Sequence, residues 1–226
     1  MPKSDLPDAL VLELRRTSLI DAGERVLVAV SGGPDSTALL LAMTEAGHDV
    51  VAAHYDHALQ PGSGLAAEHV ARWCESLGVR LWSERRVVPM PRGSAQAAAR
   101  ELRYEFLLRA RGEAGATKIA LGHTADDLVE GAVMHLLRGC GIAGMRGMPA
   151  RRGPFVRPML DVWRSDVAAF LRSRGVAAIE DPANSNRAYW RVRVRRDLLV
   201  DLERDRPGIK SRLYRAAVRA AELQQA

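Results

Sequence analysis

"VLVAVSGGPDSTALL", residues 27–41, sets a tight apolar run against two glycines, two hydroxyls and an acid, then passes into a helical pattern. The run over residues 25–30 reads as a buried strand, and a helix is predicted from about Ser36 to Ala46. Gly32 and Gly33 let the backbone turn tightly and approach a ligand with nothing between. Successive N–H groups in such a turn form an anion nest, and the following helix adds its positive end. Ser31, Ser36 and Thr37 are placed to donate hydroxyl bonds to the same oxygens. The anion that fits is a phosphate or pyrophosphate. The spacing is not that of a Walker loop, whose lysine is absent, nor is this loop a dinucleotide G-x-G-x-x-G. Asp35 would repel a phosphate unless a divalent cation joins them, and Mg²⁺ suits that mixture of oxygens.

Working outward, short apolar runs alternate with helical patterns. Strands are predicted over residues 50–54, 79–84 and 118–122, and helices over about 65–77, 94–111 and 125–138. Residues 139–158 are rich in Gly, Pro and Arg and read as loop, followed by a helix over about 163–174 that Gly175 ends. The turn-rich "EDPANSNRAYW" marks a boundary near residue 182, and the basic tail from Arg191 reads as helix broken at Pro207-Gly208. Strand–helix alternation with these connection lengths implies parallel pairing, hence an α/β fold with a doubly wound, mostly parallel sheet. We divide the chain into 1–182, the sheet domain, and 183–226, a basic helical extension.

Ligands of an open parallel sheet bind beyond the carboxyl ends of its strands. Besides "SGGPDS", two polar clusters fall at such ends: "HYDH" (54–57) and "GHTADDLVE" (122–130). His54 and His57 suit packing or loop hydrogen bonds as well as a ligand, whereas His123 stands beside the acids. Asp126, Asp127 and Glu130 lie in the first turns of a predicted helix, where the dipole alone favours acids. Asp127 and Glu130, at i and i+3, share a face and call for a cation, either Mg²⁺ or a substrate ammonium.

The chain has 226 residues, 47% of them hydrophobic, enough for a full core and too apolar for disorder. Residues 183–226 hold 11 Lys+Arg and 5 Asp+Glu of the chain's 33 and 27, so the whole excess of +6 lies in this tail. That asymmetry is an electrostatic footprint for nucleic acid, or a solvated helical face. Cys74 and Cys140 stand apart, which argues against a disulfide framework or zinc site. With no signal-peptide pattern and no membrane-length apolar run, a cytoplasmic protein is expected.

"SGGPDS" resembles the PP-loop of the N-type ATP pyrophosphatases. In order, SGGPDSTAL, HYDHAL, AAARELRYEFL, GHTADDLVE, LLRGCGIAGMRGM, RPML and DPANSN…R…R are similar to the tRNA(Ile)-lysidine synthetases, from about Arg25 to Leu202. The resemblance implies an adenine nucleotide alpha hydrolase-like fold and a two-step ligation. The C2 oxygen of the wobble cytidine attacks the α-phosphate of ATP, and the side-chain amine of L-lysine then displaces AMP. It implies ATP contacts at Ser31, Gly32, Gly33, Asp35, Ser36, Thr37, His54, Asp56 and His57, with Mg²⁺ on Asp35. Lysine would lie against Asp127, Glu130 and His123, and Asp35, Asp127 and Arg103 would act in catalysis. The tRNA, bearing a CAU anticodon, would meet Arg100, Asn184, Arg191 and Arg195. A homodimer is allowed and no membrane is involved.

The chain departs from the family at Gln60, where an arginine is common. "DDQxET" becomes Asp126-Asp127-Leu128-Val129-Glu130-Gly131, and "RNxxR" becomes Arg191-Val192-Arg193-Val194-Arg195. Family members usually continue into C-terminal domains, so a fragment, a minimal form and a paralogue all remain open. The alternatives are another PP-loop ligase such as a tRNA thiolase, or a non-catalytic nucleotide- or RNA-binding module.

Overall fold

The computed structural model describes residues 8–58, 63–87, 95–177, 187 and 189–223. Its frame is a six-stranded sheet of β1 (Arg25–Ala29), β2 (Asp49–Asp56), β3 (Leu81–Arg85), β4 (Lys118–Ala120), β5 (Arg151–Arg152) and β6 (Phe155–Val156). The spatial order is β3-β2-β1-β4-β6-β5, parallel throughout except for the β5–β6 pair. The order reverses between β1 and β4, where a doubly wound sheet opens its ligand crevice.

Alternation along the strands sorts the core into two layers. Val26, Val28, Ala52, Ala120 and Val156 pack on one face, with α1 (Ala9–Arg15), α2 (Pro34–Glu45), α3 (Ser63–Ser76) and α7 (Arg164–Ser173). Leu27, Ala53, Ile119 and Phe155 pack on the other, against Phe106, Leu107 and Ala110 of α4 (Ala95–Glu113). Helix α1 escapes the sequence reading, although Leu10, Val11 and Leu14 are its buried stripe.

The segment read as loop between 139 and 158 needs correction. It contains α6 (Ile142–Met145) and the β5–β6 hairpin, and β6 extends the parallel sheet beside β4. Two-residue strands set among Arg, Gly and Pro carry no periodicity to read.

The basic tail forms α8 (Trp190–Arg193), a π-helical turn (Val194–Leu198), α9 (Leu199–Asp205) and α10 (Ile209–Glu222). These elements pack on α5 (Ala125–Leu137): Val129 and Val133 meet Val194 and Leu199, while Leu128 and Ala132 meet Ala217. Leu128, one departure in the acidic motif, is therefore buried against the tail, whereas nothing stands within 4 Å of where a Cβ on Gly131, the other, would lie. Gln60 and Asn184, like Ser94 at the expected start of the 94–111 helix, lie outside the described residues.

Candidate active site

The β1–α2 loop is built around glycine. Gly32 has φ +87°, a conformation that a side chain disfavours. Gly33 sits at the N-cap with no side-chain cap, and Pro34 occupies the first turn without needing an N–H partner. The N–H groups at the start of α2 therefore carry its positive end unblocked. Hydroxyls brace the loop: Ser36 Oγ donates to the Gly33 carbonyl at 3.0 Å and accepts from the Ser31 N–H at 3.1 Å, and Thr37 Oγ1 donates to the Gly32 carbonyl at 3.4 Å.

The three polar clusters meet on one rim. The loop after β4 presses on the loop after β1: a Cβ on Gly122 would stand 3.1 Å from the backbone C and O of Asp35 and the Cα of Ser36. Backbone cannot yield as a flexible side chain would, so Gly122→Ala is expected to cost about 1–3 kcal/mol, the usual penalty of overpacking. A thermal unfolding midpoint unchanged in that variant would contradict the close packing.

At the end of β2, His54 is 4% exposed, and its Nδ1 donates to the Val30 carbonyl at 2.8 Å. A carbonyl only accepts, so Nδ1 carries a proton. Among the described residues the buried His54 Nε2 has no partner, nor do His57 Nδ1, His123 Nδ1 and Arg103 Nε. Buried polar atoms are almost always satisfied; Trp73 Nε1, Arg111 Nε and Arg157 Nε are orphaned too, but the histidine nitrogens at the strand ends are the ones a ligand on this rim could complete. Asp56 holds the corner instead, accepting the Ala58 N–H at 2.8 Å and pairing with Arg85 at 3.5 Å. Burial and the neighbouring Arg103 push the His57 imidazole below its ordinary pKa. From α4, Arg100 donates to the Tyr104 hydroxyl at 2.8 Å and Arg103 lies half-buried over the same ring.

Helix α5 begins at Thr124, whose N–H and hydroxyl both donate to Asp127 Oδ2, at 3.0 and 3.1 Å. Asp127 thus caps its own helix while its other oxygen faces three arginines. Arg164 Nη2 donates to Asp127 Oδ1 at 2.7 Å and Arg164 Nη1 to Glu130 Oε1 at 2.6 Å. Arg191 reaches Asp127 Oδ1 at 3.0 Å and Glu130 Oε2 at 2.8 Å, and Arg195 reaches Glu130 Oε1 at 2.7 Å. Arg164 also ties this cluster to the loop, with Nε 3.4 Å from Asp35 Oδ2. Asp126 is turned elsewhere and accepts the backbone N–H of Arg164 at 2.9 Å.

Asp35, Asp127 and Glu130 thus face Arg164, Arg191 and Arg195 in a charge-balanced cluster. Burial works to raise the Asp127 and Glu130 carboxyls, but the guanidiniums outweigh it and hold both below the ordinary carboxylate range. Asp35 goes the other way: burial pushes its carboxyl up, with Arg164 only partly opposing.

Arg164 is the member that sequence reasoning missed. It belongs to no polar motif, only to the start of an amphipathic helix far along the chain. Arg191 and Arg195, the residues expected to contact RNA, pair through their guanidiniums with the two acids expected to hold lysine.

Burial drives the His123 imidazole down to about 4, with Asp127 opposing and Arg157, Arg191 and Arg100 reinforcing. An unfolded histidine takes its proton near 6.5, so between those values the unfolded chain binds more protons and stability falls as pH drops. The limit for this one group is about 3 kcal/mol. Urea titrations at both ends of that window should show a shallower acid loss for His123→Asn than for the parent chain. Equal losses would contradict a buried, neutral imidazole.

A mostly parallel sheet with a glycine-built loop and an open helix N-terminus at its switch point matches the adenine nucleotide alpha hydrolase-like fold. The chain belongs to the PP-loop domain family, whose model matches residues 10–202. It is 40% identical over 209 residues to a tRNA(Ile)-lysidine synthase of Deinococcus deserti, covering 91% of this chain and 39% of the relative. A Rhizobium meliloti protein of the same name is 42% identical over 192 residues, 76% of this chain and 42% of the relative. For one from Salinispora arenicola the figures are 40% identity, 89% and 63%. The chain therefore spans about two fifths of the length of the first two relatives.

Among solved structures, the U34-tRNA thiolase NcsA from Methanococcus maripaludis matches with a TM-score of 0.77 at 16% identity, covering 96% of this chain and 78% of that one. An NH3-dependent NAD synthetase from Campylobacter jejuni gives 0.53 at 11%, covering 97% and 95%. These share the fold. No described helix is long and apolar enough to cross a membrane.

Membership of this family implies an ATP-binding loop, and the glycine cradle, uncapped α2 and orphaned His54 Nε2 fit a nucleotide. No cluster of three or more potential metal-ligating side chains occurs among the described residues. Mg²⁺ does not need one, because it is held by one or two carboxylates together with substrate phosphates. Asp35, buried enough for its charge to be costly, fits that part.

Proposed function

We propose that the chain carries out ATP-dependent ligation of L-lysine to C2 of the wobble cytidine of a CAU-anticodon tRNA(Ile), through an adenylated tRNA, releasing pyrophosphate and AMP. The observation that carries this reading is the bridge from the PP-loop through Arg164 to the buried Asp127–Glu130 pair, which sets an acid pair beside an anion cradle. The similar lysidine synthases support the choice of substrates.

The loop N–H groups and the start of α2 hold the triphosphate and stabilise charge developing on pyrophosphate. Asp35 would hold Mg²⁺, which would supply positive charge against the phosphates. Arg103 and Arg100 approach from α4 and bring positive charge to the nucleotide. His123, neutral near pH 7, offers a hydrogen bond without adding charge.

The amine enters where guanidiniums now stand. An ammonium at Asp127 and Glu130 replaces one arginine, and a displaced tail arginine finds its new partner in the phosphates of the RNA. Charge stays balanced through that exchange, which reconciles the inward position of Arg191 and Arg195 with a role toward tRNA. One of the acids then takes the proton from the attacking amine.

A thiolase reading loses ground, because Cys74 is buried with its thiol pushed up to about 11, far from a reactive thiolate, and Cys140 is exposed and unpaired. The test incubates the chain with ATP, Mg²⁺, labelled lysine and unmodified CAU-anticodon tRNA(Ile). Lysine appearing in the tRNA supports the reading. Release of pyrophosphate with no lysine transferred, in a panel where another amino acid is transferred, overturns the substrate assignment.

A further inference from the structure

One turn of the tail presents two different faces. Arg191 and Arg195, at i and i+4, point into the acid cluster. Trp190 and Arg193, at i and i+3, form a second face, and the Arg193 guanidinium lies over the Trp190 ring, 4.6 Å from its centroid. Trp190 is 40% exposed and the adjacent Tyr189 37% exposed. Among the described residues Arg193 is itself exposed, and no carboxylate pairs with it. A large aromatic left in water at a helix start is costly, and the turn that carries it is pinned to the candidate active site by two neighbouring arginines.

We propose that the Trp190 indole, backed by the Arg193 guanidinium, is a stacking platform for an unpaired nucleobase of the RNA substrate, next to the base that reacts. Three features select this occupant. With one indole face covered by a cation, the exposed area is a flat π surface, and an unpaired base is a flat partner of matching size. The segment carries the chain's whole positive excess, complementary to a phosphate backbone. Arg191, which reaches Asp127 and Glu130, follows Trp190 directly, so the indole belongs to the same helical turn that contacts the acid pair. The inference rests on the proposed RNA-modifying reading and adds to it the group that fixes the loop's register.

The test measures binding of a CAU anticodon stem–loop RNA to the 226-residue chain by fluorescence anisotropy at several salt concentrations. Trp190→Ala is expected to weaken binding about tenfold, within the range for one lost base stack. Trp190→Phe should restore most of the affinity. The salt slope should stay the same in both variants, since no phosphate contact is removed. Making the stacked nucleotide abasic should erase the difference between Trp190→Ala and the parent.

If Trp190→Ala binds as tightly as the parent, the platform is overturned while the RNA reading stands. A weakening that abasic RNA leaves unchanged, or that comes with a lower unfolding midpoint and no rescue by phenylalanine, also overturns it. If the parent chain shows no RNA binding even at low salt, the RNA reading itself fails. A Trp190-dependent dimer forming without RNA would assign the indole to a second copy of the chain.

Discussion

Replacing Glu130 with glutamine is expected to remove about 3–5 kcal/mol of folding stability, the range for breaking one partner of a buried charge cluster. Glu130 is 1% exposed, and its two oxygens accept from Arg164, Arg191 and Arg195. Glutamine keeps the shape but turns an NH₂ group toward a guanidinium and leaves surplus positive charge among buried groups. The loss should be largest near neutral pH. Because the Asp127 and Glu130 carboxyls titrate below their ordinary values, their contribution is complete above the ordinary carboxylate range and fades as pH falls through the lower native values. Variant and parent should therefore converge in acid. Since Arg191 and Arg195 anchor the tail through this carboxylate, proteolysis at α8 should also quicken. A change below about 1 kcal/mol would put the cluster in the class of surface ion pairs.

Asp35→Ala should do the opposite: leave stability nearly intact and remove activity. Burial disfavours the Asp35 charge, and its ion pair with Arg164 is long at 3.4 Å, so the folded chain loses little when the carboxylate goes. The expected fall in pyrophosphate release is on the order of a thousandfold, as when a group holding several kcal/mol of transition-state charge is deleted. ATP should still bind to the loop N–H groups. Normal pyrophosphate release by this variant would undo the assignment of Asp35 to the metal, and loss of the fold would make the carboxylate structural.

The contrast between these residues shows what a sequence can disclose. The strand ends were legible because buried parallel strands are continuous apolar runs, and the polar clusters that interrupt them stand out. Gly32 and Gly122 belong to such clusters, and the structure explains them by a left-handed turn and a close backbone approach. Asp127 and Glu130 could be paired from their spacing alone. Their partners could not. Arg164 is drawn in by the packing of α7 against α2, and Arg191 and Arg195 by the tail folding over α5. Val192, which stands at the asparagine position of the resembled motif, and Val194 are 8% and 0% exposed and direct that folding. A basic segment reads as solvated when its intervening valines are not weighed as a buried stripe.

The most direct test of the whole account is the fate of the nucleotide. Incubated with ATP labelled in the α- and γ-phosphates, Mg²⁺, lysine and the tRNA, the chain should yield AMP and pyrophosphate in equal amounts, dependent on the RNA. Formation of ADP and inorganic phosphate instead would mean that the loop at the β1–β4 switch point does not direct attack to the α-phosphate, contradicting the site as assembled from these residues.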